Sequence, residues 1–66
     1  MNILINGETK EISSELNLSE LLKHFSLPSE RIAIELNKKV VRKKDWENIK
    51  IAEGDKLEVI HFVGGG

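Results

Sequence analysis

Residues 2–12 read NILINGETKEI, and this stretch predicts a β-hairpin. Ile3 and Ile5 stand two positions apart, the spacing that places both side chains on one face of a strand. The pair Asn6-Gly7 follows, and it is the strongest short signal for a type I′ turn, because both residues tolerate a positive φ. We therefore predict one strand before the turn and a second strand over residues 8–13.

The segment over residues 16–27 carries the signals of an amphipathic helix. Asn17 can cap the N-terminus, and Glu20 stands three residues later, which makes a capping box. Pro28 indicates that the helix has ended by about residue 27. The apolar stripe that would face a sheet has helical spacing and consists of Leu18, Leu21, Leu22 and Phe25.

The second half of the chain predicts further strands joined by turns. A half-buried strand is expected at residues 32–36, followed by a turn and a short continuation at Val40-Val41. Residues 42–49 have the composition of a polar loop with one helical turn, and Gly54-Asp55 marks a turn before the last strand at residues 56–63. This order predicts an α+β roll in which a mixed sheet of about four to five strands carries one main helix across one face.

The last predicted strand has apolar side chains on both of its faces. Leu57 and Val59 share one face, whereas Ile60 and Phe62 share the other. Because one helix covers only one face of a sheet, we predict that Leu57 and Val59 face the helix. Ile60 and Phe62 would then face a partner, since contiguous exposed apolar groups usually mark a binding surface. The alternative is that loops cover both faces.

Length, charge and cysteine content exclude several classes of function. A chain of 66 residues forms a single domain with little room for a deep substrate pocket. The formal net charge of -1 provides no general attraction to nucleic acid or to an anionic membrane. The absence of cysteine excludes a disulfide framework and a thiolate nucleophile. The start of the chain lacks a basic segment typical of a signal peptide, so we expect a cytoplasmic protein.

Polar residues in the body of the chain do not form a recognisable catalytic or metal-binding pattern. His24 and His61 stand alone, without a second histidine or a carboxylate cluster at ligand spacing, so neither a catalytic nor a metal site is predicted. One basic cluster stands out and consists of Lys38, Lys39, Arg42, Lys43 and Lys44. It is typical of a solvated edge that blunts strand pairing, and the alternative is an electrostatic contact with an acidic partner.

The chain ends in three glycines, Gly64, Gly65 and Gly66, directly after the last strand. A segment without side chains can thread a narrow channel in another protein and can adopt any backbone conformation. Its terminal carboxylate is a poor electrophile, but adenylation by ATP would let it accept an amine, a thiol or a sulfur donor. We therefore predict a domain over residues 1–63 and a flexible tail whose end is the reacting group. The alternative is an incidental frayed terminus.

The element order, the length and the glycine end resemble the ubiquitin-like β-grasp proteins, and within them the ThiS family of sulfur carriers in thiamin biosynthesis. The likeness covers nearly the whole chain, and it is most specific at the Gly-Asp turn, the last strand and the terminal glycine pair. The residues that carry it are ING at 5–7, LSELL at 18–22, IAIELN at 32–37, Val41, Trp46, and EGDKLEVIHFVGGG at 53–66.

The resemblance implies a function for the tail. A ThiF-type adenylyltransferase would adenylate Gly66 with ATP, and sulfur from a cysteine desulfurase relay would displace AMP to leave a thiocarboxylate. That sulfur would pass to thiazole synthase, ThiG. Gly64 and Gly65 would thread the partner's channel, while Ile60, Phe62 and Val63 would dock the partner. The protein would be a sulfur donor rather than an enzyme, without a bound cofactor, and a monomer when free.

Three other functions remain open on the sequence. The same tail chemistry serves other sulfur carriers, such as the small subunit of molybdopterin synthase or a carrier for tRNA thiolation. A ubiquitin-like modifier would instead join its terminal glycine to a lysine of a target protein. A plain interaction module would make no use of the glycines.

Overall fold

A computed structural model describes residues 1–62 of the chain. Its elements, in chain order, are β1 (Asn2–Ile5), β2 (Glu8–Glu11), α1 (Leu18–His24), β3 (Ile32–Leu36), β4 (Lys39–Val41), a 3-10 helix (Lys43–Asn48) and β5 (Lys56–His61). The strands form one five-stranded sheet in the order β2-β1-β5-β3-β4. β1 and β5 run parallel, whereas the other neighbouring strands are antiparallel. The predicted α+β roll with a mixed sheet and one main helix is therefore confirmed.

The first hairpin forms at the predicted turn. Asn6 and Gly7 have φ angles of 51° and 82°, as a type I′ turn requires. β2 ends at Glu11 rather than at residue 13, because its last partner is Asn2, where β1 begins. Ile12 lies beyond the ladder, but its N–H still donates to the Met1 carbonyl oxygen at 2.9 Å.

The helix begins at the predicted capping box. The Asn17 side-chain oxygen accepts the Glu20 N–H at 2.7 Å, and the Glu20 carboxylate accepts the Asn17 N–H at 2.9 Å. These two bonds satisfy donors that the first turn of a helix otherwise leaves unpaired. α1 ends at His24, and Ser26, with a φ of 54°, breaks the helical path before Pro28.

Substituting Asn17 with alanine removes the cap and is expected to lower the free energy of unfolding by about 1 kcal/mol. Urea denaturation followed by circular dichroism measures this change. Ser14→Ala, at an exposed position outside the helix, is the matched control and should stay within about 0.5 kcal/mol of the original protein. Equal stability of the two variants would contradict the role of Asn17.

The core fills the space between α1 and the facing side of the sheet. Trp46, in the 3-10 helix, is only 4% exposed, and its indole N–H donates to the Val41 carbonyl oxygen at 3.3 Å. The loop predicted at residues 42–49 is therefore an ordered element that closes one side of the core. The buried residues are Ile3, Ile5, Ile12, Leu18, Leu21, Leu22, Ile34, Trp46, Ile51 and Leu57.

The predicted continuation after β3 is a separate strand. The chain reverses at Asn37 and Lys38, whose φ angles are 51° and 72°, and β4 returns antiparallel to β3. β4 is thus an outer strand of the sheet. Over residues 1–62, no helix is long and apolar enough to cross a membrane.

Candidate functional site

The two faces of β5 differ in exposure as the sequence predicted. Leu57 is buried, and Val59 is half-buried and packs against the core. On the opposite face Ile60 is 46% exposed and Phe62, directly after the strand, is 56% exposed. Among the residues that the structure describes, no loop buries either side chain. The alternative in which loops cover both faces is therefore wrong.

Ile60 and Phe62 belong to a small apolar area on the open side of the sheet. Ile60 lies opposite Ala33 on β3, and the Phe62 N–H donates to the Arg31 carbonyl oxygen at 2.7 Å. Because Ala33 has a short side chain, it leaves the sides of Ile60 accessible. We call Ala33, Ile60 and Phe62 the open-face patch. Its position on a central strand, next to the residues that lead to the tail, makes it the candidate docking surface.

Another exposed apolar residue lies on the same side of the sheet but at its edge. Val40 is 70% exposed and lies on β4, where it pairs with Glu35. Glu35 in turn lies opposite Glu58 on β5. These two carboxylates separate Val40 from the open-face patch, so Val40 is not part of it.

Two asparagine side chains hold β5 in the sheet, and neither contact is predicted by the sequence. The Asn6 side chain bonds to the backbone of Val59, with distances of 2.7 Å from the Val59 N–H and 3.4 Å to the Val59 carbonyl oxygen. The Asn37 side chain accepts the Lys56 N–H at 3.0 Å and donates to the Asp55 carboxylate at 3.0 Å. Both asparagines are turn residues with a positive φ. Their role in the turns follows from the local sequence. Their second role, the hydrogen bonds to β5, depends on the order of the strands in the sheet.

The predicted tail residues lie outside the described part of the chain. Gly64, Gly65 and Gly66, and with them Val63, follow residue 62, where the description ends. Their predicted roles in threading, docking and sulfur attachment remain predictions, as does the boundary of the domain at residue 63.

The basic cluster is exposed and divides between two places. Lys38 and Lys39 lie at the turn into the outer strand β4, where positive charge discourages pairing with another sheet edge. Lys43 and Lys44 lie at the start of the 3-10 helix and, with Lys23 of α1, border a groove of about 390 Å³. Arg42 precedes that helix and is also exposed. The solvated edge fits the position of Lys38 and Lys39, and a contact with an acidic partner remains a hypothesis.

The histidines occupy places without a ligand cluster. The His24 ring meets the Phe25 ring edge-on, with 4.8 Å between their centroids. His61 ends β5 and lies opposite Ile32. Within residues 1–62, no three histidine, aspartate or glutamate side chains gather closely enough to hold a metal ion.

A mixed sheet with a central parallel strand pair, one helix across one face and a glycine end after the central strand defines a ubiquitin-like β-grasp protein. The chain belongs to the ThiS family, whose model matches residues 3–66 and therefore includes the three terminal glycines. This family is the one that the sequence resemblance indicated.

Two of the similar proteins are named ThiS. The chain is 31% identical over 49 residues to the sulfur carrier protein ThiS of Bacillus subtilis, a match that covers 74% of each protein. Its fold matches the crystal structure of the thiamine biosynthesis protein ThiS from Geobacter metallireducens with a TM-score of 0.88, at 30% identity and with full coverage of both chains.

A third relative is a larger protein. The chain is 35% identical over all its 66 residues to a thiazole synthase of Paramagnetospirillum magneticum. The matched segment makes up only 20% of that thiazole synthase, so the likeness concerns a part of it.

Proposed function

We propose that the protein is a sulfur carrier in the synthesis of the thiazole ring of thiamin, and that Gly66 carries the sulfur as a thiocarboxylate. The observation that carries this proposal is the family match, which runs through residue 66 and so includes the glycine tail. The exposed open-face patch next to that tail supports it, because a carrier must dock on the enzymes that load and unload it. The protein itself would be a co-substrate rather than a catalyst.

The chemistry needs an activating partner. A carboxylate oxygen of Gly66 attacks the α-phosphorus of ATP, and pyrophosphate leaves. The acyl adenylate that forms has AMP as a good leaving group, so hydrosulfide or its equivalent attacks the acyl carbon and leaves a thiocarboxylate. We assign the first step to a ThiF-type adenylyltransferase and the supply of sulfur to a cysteine desulfurase relay. ATP is consumed by the partner and is not a cofactor of this chain.

Thiazole synthase is the proposed acceptor of the sulfur. In the relative from Paramagnetospirillum magneticum, a segment similar to this whole chain belongs to a protein named thiazole synthase. A carrier segment within the same polypeptide is expected when the two parts work together. This observation favours the thiamin pathway over molybdopterin synthesis and over tRNA thiolation.

The partners would dock on the open face of the sheet. Ile60 and Phe62 present apolar area there, and Val63 continues the same segment toward the tail. Gly64 and Gly65 would pass through a channel too narrow for side chains. Ordering a glycine segment costs roughly 1–2 kcal/mol per residue, so contacts at the open face must supply binding free energy.

Intact-mass spectrometry tests the proposal directly. The protein is incubated with the adenylyltransferase of the pathway, ATP and sodium sulfide. We expect a mass increase equal to the replacement of one oxygen by sulfur, located on Gly66 by fragmentation, and no increase when ATP is omitted. An unchanged mass, with an enzyme preparation that converts the Bacillus subtilis ThiS, would contradict the proposal. Conjugates of higher mass with other proteins would favour a modifier instead.

A further inference from the structure

We propose that Asn6 is a positioning residue that holds the end of β5, and with it the open-face patch, in the conformation that the activating enzyme binds. The inference rests on the proposed function. It assigns to the first hairpin turn a role in presenting the last strand, which lies at the other end of the chain.

The ladder between β1 and β5 is short. The two strands pair only at Leu4 with Lys56 and at Ile5 with Leu57, because the chain turns away at Asn6. The last backbone bond on this side is the Asn6 N–H to the Leu57 carbonyl oxygen, at 2.8 Å. The next backbone groups of β5 that point toward β1 are those of Val59, and no residue of β1 extends far enough to meet them.

The Asn6 side chain makes the hydrogen bonds that the backbone of a longer β1 would otherwise make to β5. A carboxamide has the same donor and acceptor as a peptide group, and Asn6 uses both on Val59: its oxygen accepts the Val59 N–H at 2.7 Å, and its NH₂ donates to the Val59 carbonyl oxygen at 3.4 Å. We call this pair of hydrogen bonds between Asn6 and Val59 the clamp. The bond that the Asn6 oxygen accepts is short and the one that its NH₂ donates is long, so the accepting oxygen is the stronger part of the clamp.

The clamp sets how far along β5 the strand is hydrogen-bonded on both of its sides. On the β3 side, pairing continues through Ile32 with His61, and the Phe62 N–H bonds to Arg31. On the β1 side, Val59 is the last residue of β5 held by a hydrogen bond within residues 1–62, and it directly precedes Ile60. Without Asn6 the strand would be held on both sides only as far as Leu57. The open-face patch would then be held from the β3 side alone, and restricting its remaining motion during binding weakens association.

The protein contains a matched control for this role. Asn37 also has a φ of 51°, also lies in a turn between two strands and also bonds to β5, but it holds Lys56 at the start of the strand. Glycine adopts this φ without strain, so Asn6→Gly and Asn37→Gly each remove one side-chain clamp while the turn is kept. The two variants differ mainly in the end of β5 that they release.

The experiment compares the two variants as substrates of the activating enzyme. Adenylation is followed by pyrophosphate release from ATP, and KM and kcat for the carrier are measured separately. We expect Asn6→Gly to raise KM about three- to tenfold, the effect of one hydrogen bond, with kcat within about twofold. Asn37→Gly should leave both constants within about twofold. Asn6→Asp keeps the acceptor and tolerates the positive φ but places a carboxylate oxygen against the Val59 carbonyl oxygen, so its KM should stay at or above that of Asn6→Gly.

Amide hydrogen exchange gives an independent structural reading. The Val59 N–H should exchange faster in Asn6→Gly than in Asn37→Gly, because only the first variant removes its acceptor. Equal KM values for the two glycine variants would overturn the positioning role. If the unsubstituted protein is not adenylated at all, the proposed function fails, and exchange at Val59 still decides whether Asn6 holds the strand.

Discussion

Deletion of Gly65 and Gly66 is expected to abolish sulfur loading while the fold keeps its stability. The shortened chain still ends in a glycine carboxylate, Gly64, so the chemistry of the reacting group is unchanged. Its reach is shorter by about 7 Å, the extended length of two residues. Because a displacement of about 1 Å in a reacting group can cost about 100-fold in rate, we expect loading to fall by at least that factor.

Intact-mass measurements over time give the loading rate, and thermal unfolding gives the stability. Gly64→Ala keeps the length of the tail and its terminal pair but places a methyl group in a channel too narrow for side chains, so its loading rate should also fall. The melting temperature should not change in either variant, because the core residues all lie between Ile3 and Leu57. A deletion variant that loads normally would refute the role of the tail.

Local signals in the sequence were sufficient for the turns, the cap and the alternation of β5. The Asn6-Gly7 turn depends only on the φ preferences of two adjacent residues, and the capping box at Asn17 depends on residues within one helical turn. The exposure of Ile60 and Phe62 followed from the two-residue period of a strand and from the presence of one main helix.

The parts that the sequence did not predict depend on contacts between distant residues. Trp46 stands in a segment whose polar composition predicts a loop, but it is buried because the 3-10 helix packs against α1. The contact of Asn6 with Val59 joins residues that are 53 positions apart, and it exists only because β5 inserts between β1 and β3. Strand order cannot be read from local periodicity, so these contacts could not be predicted.

Phe62→Asp is expected to weaken binding to the activating enzyme by about 30-fold or more, with little effect on folding. Aromatic residues at the centre of an interface commonly contribute at least about 2 kcal/mol, which corresponds to that factor. The substitution also places a charge where a partner removes water, which adds to the loss. Since Phe62 is 56% exposed in the free protein, the free energy of unfolding should change by less than about 0.5 kcal/mol.

Val40→Asp separates docking of Phe62 from a general effect of added negative charge. Val40 is 70% exposed, more than Phe62, and it lies on the outer strand β4 beyond Glu35. The same substitution at Val40 therefore adds the same charge outside the open-face patch. Isothermal titration with the adenylyltransferase should give a dissociation constant for Val40→Asp within about threefold of the original. Equal losses at both positions would mean that charge alone weakens binding. A large fall in melting temperature for Phe62→Asp would place Phe62 in the core and remove the argument for a docking surface. A selective loss at Phe62 would instead locate the partner on β5, where the strand leads directly into the tail.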